Sequence, residues 1–339
     1  MKSFNASQSS RGETVPLISL VCPCQDEQEN ITPLLRKLQE VLLPLSHFRF
    51  EIVFIDDGSI DRTAEEILKQ PTDFFSIKLI ELSRNFGKEA ALTAGLAHAK
   101  GDAVIPLDAD LQDPPELIPK MLEVWNEGHH EVILAQRINR QYDSAIKRWT
   151  AAIFYHTHNM IASQKIPPDT GDFRLLDRVV VNAIMSLPER QRFMKGIFAW
   201  VGFRCYTIKF FRPARQIGST KFPLWRLWNL ALESITSFTT LPLKLWTYLG
   251  AFISLSSFIY AGYIITRVTM HGIDVPGYAS TIVLMLFLGG IQLIGIGVLG
   301  EYLGRTYIET KQRPIFVTRR ILDVAEHTSD RQRRPGEVT

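Results

Sequence analysis

The sequence predicts an α/β domain on a mixed, mostly parallel sheet, followed by amphipathic interface helices and two transmembrane helices. Three observations predict it. Short apolar runs alternate with helix-patterned segments between Leu17 and about Phe211. Two uncharged runs, Leu245 to Thr266 and Val275 to Gly300, each exceed 20 residues. The apolar runs of the first half also end in acidic residues. A chain of 339 residues has room for about two domains, since a domain takes roughly 150 residues.

Taken in order, residues 1–15 read as a flexible polar tail, Ser-rich and without the apolar stretch of a signal peptide. Residues 16–215 form the α/β domain. Its strands are expected at Leu17 to Val21, Phe50 to Ile55, Ile77 to Leu82, Ala103 to Leu107 and Glu131 to Ala135. Helical patterns lie between them, near Asn30 to Leu42, Thr63 to Lys69, Lys88 to Ala99 and Glu116 to Trp125. Repetition of strand, helix, strand implies parallel pairing with helices on both faces. Residues 216–244 carry Trp225, Trp228, Phe238 and several leucines with Glu233 as the one acid from Phe222 onward, the pattern of helices in a headgroup zone.

The spans are expected at 245–267 and 275–301, because about 20 apolar residues cross about 30 Å of hydrocarbon. Lys209, Arg212, Arg215, Lys221, Arg226 and Lys244 precede the first, and Arg305, Lys311, Arg313, Arg319 and Arg320 follow the second. The connector holds only Arg267, at its edge, with His271 and Asp274. Basic residues mark the cytoplasmic side, so the α/β domain and both termini are expected in the cytoplasm, at an inner (plasma) membrane. Gly289, Gly290, Gly295, Gly297 and Gly300 permit close helix approach and suggest a homo-oligomer. Residues 302–339 are read as a cytoplasmic C-terminal segment, polar from His327 on.

Composition excludes several classes. A net charge of +3 lacks the basicity of a nucleic-acid binder. Cys22, Cys24 and Cys205 are odd in number and make neither a disulfide framework nor a paired CxxC zinc site. His156 and His158, two apart in a helical pattern, point to different faces and are assigned no metal. The first strand is followed by no GxGxxG, and no GxxxxGK[ST] occurs, so dinucleotide and P-loop phosphate cradles are missing.

In doubly wound sheets ligands bind beyond the carboxyl ends of the strands. Here those ends carry Asp26 and Glu27, then Asp56-Asp57-Gly58-Ser59, then Ser83-Arg84-Asn85, then Asp108, Asp110, Gln112 and Asp113. An acid-lined rim repels a nucleotide phosphate unless a hard cation such as Mg²⁺ or Mn²⁺ intervenes. In an extended Asp108-Ala109-Asp110, alternation puts both carboxylates on one side. Asp56 to Ser59 is equally a good turn sequence, and a lone DxD is weak evidence.

The motifs Leu20-Val-Cys-Pro-Cys-Gln-Asp-Glu27, Ile55-Asp-Asp-Gly-Ser59, Ser83-Arg-Asn-Phe-Gly-Lys88, Leu107-Asp-Ala-Asp-Leu-Gln-Asp-Pro-Pro-Glu116 and Thr170-Gly-Asp-Phe-Arg174 resemble those of the GT-A (Rossmann-like) glycosyltransferases of family 2. More narrowly, the chain resembles the polyprenyl-phosphate glycosyltransferases, above all those that glucosylate bactoprenol (undecaprenyl phosphate) for O-antigen modification. The likeness runs from Pro16 to Gly300-Glu-Tyr-Leu-Gly-Arg-Thr-Tyr-Ile-Glu-Thr-Lys311.

The resemblance implies a UDP-sugar donor, a divalent metal (Mg²⁺ or Mn²⁺) and a polyprenyl-phosphate acceptor, with an inverting transfer. By the same resemblance Pro23, Glu27 and Asp57 border the uridine, with Asp56 assisting. Asp108 and Asp110 hold the metal and diphosphate, with Gln112 nearby. Asp172 takes the position of a catalytic base or acceptor-orienting carboxylate. Arg137, Arg148, Arg174, Arg215 and Lys221 are the basic residues facing acceptor and donor phosphates. Two departures stand out: Gln25-Asp26 replaces the family's Tyr-Asn or Phe-Asn, and Thr220 stands where serine is frequent.

Two other readings are weaker. A processive synthase would carry Gln-x-x-Arg-Trp, yet Ala145 precedes Arg148-Trp149 at the glutamine position. A silent membrane scaffold or flippase subunit leaves the DAD and GDFR motifs unexplained, and the uncharged spans give a substrate no polar path. The sugar is expected to be glucose; GlcNAc, galactose and an aminoarabinose derivative stay open.

Overall fold

The computed structural model describes residues 15–138, 170–210, 241–271 and 277–325. Contacts divide the chain into two units, one of Met1–Tyr155, Gln164–Thr220 and Pro314–Thr339, the other of His156–Ser163 and Lys221–Arg313. Arg148, His156, His158, Arg215, Lys221 and the segment 216–240 lie outside the described residues.

In the first unit the chain runs through β1 (Leu17–Cys24), α1 (Ile31–Leu42), β2 (Arg49–Asp56), α2 (Thr63–Leu68), β3 (Ser76–Leu82), α3 (Lys88–His98) and β4 (Ala103–Pro106). It continues through α4 (Ile118–Asn126), β5 (Val132–Arg137), β6 (Thr170–Asp177), α5 (Arg178–Met185), α6 (Met194–Trp200) and β7 (Cys205–Phe210). After the second unit's two helices it returns as β8 (Thr318–Asp323). The five expected strands and four expected helices are present. The sheet has eight strands in the order β7-β5-β6-β4-β1-β2-β3-β8. Neighbouring β1, β2, β3 and β4 pair in parallel, as do β5 and β7, while β6 and β8 run antiparallel to their neighbours. This is the mixed, mostly parallel sheet that the sequence predicts.

Continuous apolar strands such as Ile52-Val-Phe-Ile55 are buried on both faces, as parallel strands covered by helices must be. One layer buries Leu34, Leu38 and Leu42 of α1 with Met121, Leu122 and Trp125 of α4. Each such large side chain contributes about 1.5–3 kcal/mol by leaving water. On the other face α3 buries Ala90, Ala91, Ala94 and Gly95. A Cβ on Gly95 would collide with Val21 and Ile55 side chains, so small residues let this helix lie close on β1 and β2. That fixes its first residue, Lys88, at the carboxyl rim of the strands.

Three strands were not foreseen, β6, β7 and β8, of which β7 adds in parallel to the β5 edge. β6 runs opposite to β4, with Ala103 opposite Asp177, which brings its amino end, Thr170-Gly-Asp172, to the rim where β4 ends. Its far end is anchored by Asp177, which accepts from Trp125 Nε1 at 2.8 Å and caps α5 through Val179 N at 3.0 Å. β8 adds to the β3 edge, where Arg320 pairs with the buried Glu81 at 2.6 Å and Ser83 N donates to Val317 O at 2.8 Å. Its polar Thr-Arg-Arg-Ile-Leu-Asp sequence carries no apolar run, so its strand character comes from this pairing.

The second unit holds α7 (Leu241–His271) and α8 (Tyr278–Thr310). The windows long and apolar enough to cross a membrane are Leu245–Arg267 and Phe287–Thr310. Their apolar side chains are exposed: Phe252, Leu255, Phe258 and Ile259 on α7, and Met285, Phe287, Leu293 and Ile296 on α8. A soluble core helix would bury them, so this surface is made for an apolar surrounding. α8 continues past Gly300, where Glu301 and Arg305 pair at 3.0 Å one turn apart. Gly295 leaves room for the Trp246 indole, whereas a Cβ at Gly289, Gly290, Gly297 or Gly300 would meet nothing.

Candidate active site

A cleft of about 230 Å³ opens at the carboxyl ends of β1 and β4, lined by Pro23, Cys24, Gln25, Glu27, Asp57, Lys88, Ala91, Asp108, Ala109 and Asp110. Of the expected donor residues it gathers Pro23, Glu27, Asp57, Asp108 and Asp110. Asp56 and Gln112 lie one residue or one hydrogen bond behind.

The β1 and β2 ends are tied together chiefly through backbone N–H groups. Asp56 accepts from Ser59 N at 2.9 Å, and Asp57 N donates to Cys24 O at 2.9 Å. The Asp57 carboxylate accepts from Phe86 N at 2.7 Å and Gly87 N at 2.9 Å, clamping the loop that leads into α3. Gly58 between them has φ +71°, and a Cβ there would stand 2.6 Å from Asn85 N, so glycine is required on both counts. Burial pushes the Asp56 and Asp57 carboxyls upward, opposed by the hydrogen bonds from Ser59 and from Phe86 and Gly87.

Asp26 takes φ 54°, a left-handed conformation that Asn and Asp tolerate best, and accepts from Ile60 N at 2.9 Å. Gln25 lines the cleft, where the resemblance implies an aromatic ring. Cys22 and Cys24 are buried and free, their sulfurs 3.8 Å apart.

After β4 the turn Asp108-Ala109-Asp110 buries the alanine and leaves both carboxylates half-exposed in the cleft. Asp110 accepts from Gln112 N at 3.1 Å and from Gln112 Nε2 at 2.5 Å across Leu111, whose φ of 56° is strained for a branched residue. Burial raises the Glu27 carboxyl, and the nearby Asp110 and Asp108 add to that rise.

On the opposite side stands Asp172, at the amino end of β6. Its Oδ2 is 3.1 Å from Lys88 Nζ, which also sits 2.7 Å from Asp108 Oδ1 and 2.8 Å from Asp108 Oδ2. Its Oδ1 is buried without a hydrogen bond. Burial works to raise the Asp172 carboxyl, but Lys88, Lys195 and Arg174 outweigh it and hold it below the usual range. For Lys88 burial is likewise overcome, by Asp108 and Asp172, which hold the ammonium above its ordinary value. Next along α3, Glu89 accepts from Met194 N at 3.1 Å. Burial, then the Asp172 charge, pushes its carboxyl up to about 7.

The expected acceptor-side bases are distributed unevenly. Arg137 ends β5 at the same rim. Arg174 is buried, its guanidinium 4.1 Å above the Phe198 ring and donating to Gly171 O at 2.5 Å, where it supports the Asp172 turn. Sequence reasoning gave no role to Lys88, Glu89 or Lys195. One signal pointed to Lys88: a lysine opening a helix opposes the macrodipole unless carboxylates meet it.

The donor set suits a hard cation. Among the described residues no three His, Cys, Asp or Glu side chains form a ready cage. Mg²⁺ or Mn²⁺ is typically held by one or two carboxylates plus substrate phosphates and water, and Asp108 with Asp110 supplies that pair.

The chain is similar to known proteins over most of its length. Residues 19–185 match the model for glycosyl transferase family 2, and residues 241–306 match that for the GtrB C-terminal hairpin. An uncharacterised glycosyltransferase of Synechocystis sp. is 52% identical over 300 residues, 88% of this chain and 94% of that one. The prophage bactoprenol glucosyl transferase homolog of Escherichia coli is 49% identical, covering 90% of this chain and 99% of the other. The bactoprenol glucosyl transferase of Shigella phage SfV is 50% identical, covering 88% and 97%.

Proposed function

Since the chain belongs to glycosyl transferase family 2, and is thus a glycosyltransferase, we propose that it moves glucose from UDP-glucose to a polyprenyl phosphate such as undecaprenyl phosphate, inverting the anomeric carbon. The product would supply lipid-linked sugar for surface-glycan modification. The observation that carries this reading is one cleft flanked by two kinds of carboxylate, Glu27, Asp57, Asp108 and Asp110 on one side and Asp172 on the other. The names of the bactoprenol relatives support the lipid acceptor, and the exposed apolar faces of α7 and α8 support delivery of that acceptor at a membrane.

Pro23, Glu27 and Asp57 would frame the uridine, with Asp56 fixing the Asp57 turn. Asp108 and Asp110 would hold Mg²⁺ or Mn²⁺, with Gln112 orienting Asp110; such an ion, when bound, offsets charge on the leaving diphosphate. A phosphate monoester with a second pKa of about 6 is largely ionised at neutral pH, so Asp172, kept charged by Lys88, orients the attacking oxygen more than it deprotonates it. Arg137 would attract the acceptor phosphate while Arg174 braces the Asp172 turn; Arg148, Arg215 and Lys221 keep phosphate-facing roles from the resemblance.

Membrane topology follows the same reading. The chain leaves the sheet after β7 and rejoins it at β8 once α7 and α8 are complete, which supports an even number of crossings and both ends on one side. The basic flanks make that side cytoplasmic. The open glycine positions of α8 support a homo-oligomer.

The test is transfer by the detergent-purified protein with Mg²⁺ or Mn²⁺, undecaprenyl phosphate and, separately, UDP-glucose, UDP-GlcNAc and UDP-galactose, reading UDP release and the glycolipid by mass spectrometry. Lipid-dependent UDP release with a glucosyl-phosphate lipid is expected. Product with a different sugar would reassign the donor, and UDP release independent of lipid would remove the acceptor.

A further inference from the structure

Lys88 occupies a peculiar position in the cleft. Its ammonium touches both oxygens of Asp108, at 2.7 and 2.8 Å, and Asp172 Oδ2 at 3.1 Å, joining carboxylates that lie 64 residues apart in sequence, one in the turn after β4 and one on β6. The stem starts at the first turn of α3, which Asp57 clamps through Phe86 N and Gly87 N. The base of the side chain is therefore fixed, while its half-exposed end is held, among the described residues, by the two carboxylates alone.

We propose that Lys88 is an internal cation that holds the metal-binding carboxylate Asp108 until the donor arrives, so that the divalent ion enters with the nucleotide and not before it. This deepens the reading of the donor site given above and rests on it. The argument is competitive. An ammonium and a divalent ion cannot share the same two oxygens of Asp108 at close range. With no third protein ligand converging among the described residues, Asp108 and Asp110 alone offer too little to expel the ammonium. Diphosphate oxygens complete the coordination and tip the balance. Lys88 then keeps Asp172 as partner, and its freed N–H donors are available to phosphate oxygens entering the cleft. The exchange couples the two sides: filling the donor side changes the charge facing Asp172. Lys88 is thus a positioning residue whose signature lies in the order of metal and nucleotide binding.

The experiment measures Mn²⁺ binding to the full-length detergent-purified protein, by electron paramagnetic resonance of free Mn²⁺, with and without UDP. The wild type is expected to bind Mn²⁺ at least tenfold more tightly with UDP than without. Lys88→Gln should raise the UDP-free affinity about tenfold and so shrink the UDP effect, whereas Lys88→Arg, which keeps the charge, should behave as the wild type. Lys88 is half-exposed and outside the core, so both variants should fold; if the glutamine variant does not, tighter UDP-free binding by the arginine variant would itself overturn the inference. Unchanged or weaker Mn²⁺ binding by Lys88→Gln, with UDP-dependent binding intact in the wild type, overturns the inference and leaves the donor-site reading standing. Failure of the wild type to bind Mn²⁺ even with UDP overturns both.

Discussion

The two rims of the cleft hold their carboxylates by opposite means. On the β1–β2 side Asp56 and Asp57 are buried and gripped by backbone N–H groups, and burial leaves both carboxyls raised. On the β6 side Asp172 is gripped by side-chain charge, chiefly that of Lys88, and is lowered. Asp56 and Asp57 thus double as fasteners of the fold, while Asp172 is tuned by the charges of Lys88, Lys195 and Arg174. Substituting Asp57 should damage binding and stability together, whereas substituting Asp172 should damage chemistry alone.

The largest effect is expected at Asp110, the DAD carboxylate that Gln112 orients. Asp110→Ala should lower kcat/KM by about a thousandfold or more, the scale lost with a transition-state charge stabiliser, and should abolish metal-dependent UDP binding in the same protein. Retention of full activity would remove the metal assignment. Next comes Asp172→Asn, expected to cost about a hundredfold in kcat with donor KM little changed, the scale of a lost orienting group. Its residual activity should keep the acid limb near pH 6, because that limb belongs to the acceptor phosphate. Loss of the limb would make Asp172 the titrating base and erase the contrast between the rims.

Asp57→Ala should act differently from both. It leaves Phe86 N and Gly87 N without their carboxylate, which costs about 1–3 kcal/mol, and loosens the clamp on α3. Thermal unfolding in detergent should drop while donor KM rises. A variant with raised KM and an unchanged Tm would mean that Asp57 only touches ligand.

Much of the donor rim was legible in the sequence because its signals are local. Apolar runs such as Glu51-Ile-Val-Phe-Ile55 end directly in the acids, so locating the strand locates the site. The Asp172 rim was not legible in the same way. Its cluster joins Lys88 and Glu89 to Asp172, more than 80 residues downstream, and only the antiparallel course of β6 brings them together. β8 was hidden for a related reason: Arg319-Arg320 reads as a solvated basic pair until Glu81, buried at the end of β3, supplies the partner. Local hydrophobic pattern reports elements; long-range charge pairing reports neither register nor edge strands.

The smallest expected effect sharpens the comparison most, because it concerns a single proton on the Asp172 side. Glu89 carries a folded-state pKa of about 7, raised first by burial and then by Asp172, so the native protein holds a proton that the unfolded chain has released above the ordinary glutamate range. The unfolded state then binds fewer protons than the native one, and stability falls as pH rises from about 4.5 through about 7. Glu89→Gln fixes the neutral form. It should leave Tm near the wild-type value at pH 5 and raise it by about 2–4 °C at pH 8, a gain of order 1 kcal/mol. Burial raises the Asp57 carboxyl as well, but both of its oxygens accept backbone N–H bonds, so Asp57→Asn forfeits an acceptor and should lower Tm at pH 5 as well as at pH 8. Equal Tm gains from Glu89→Gln at both pH values would mean that Glu89 is merely crowded, with no proton held in the native cleft.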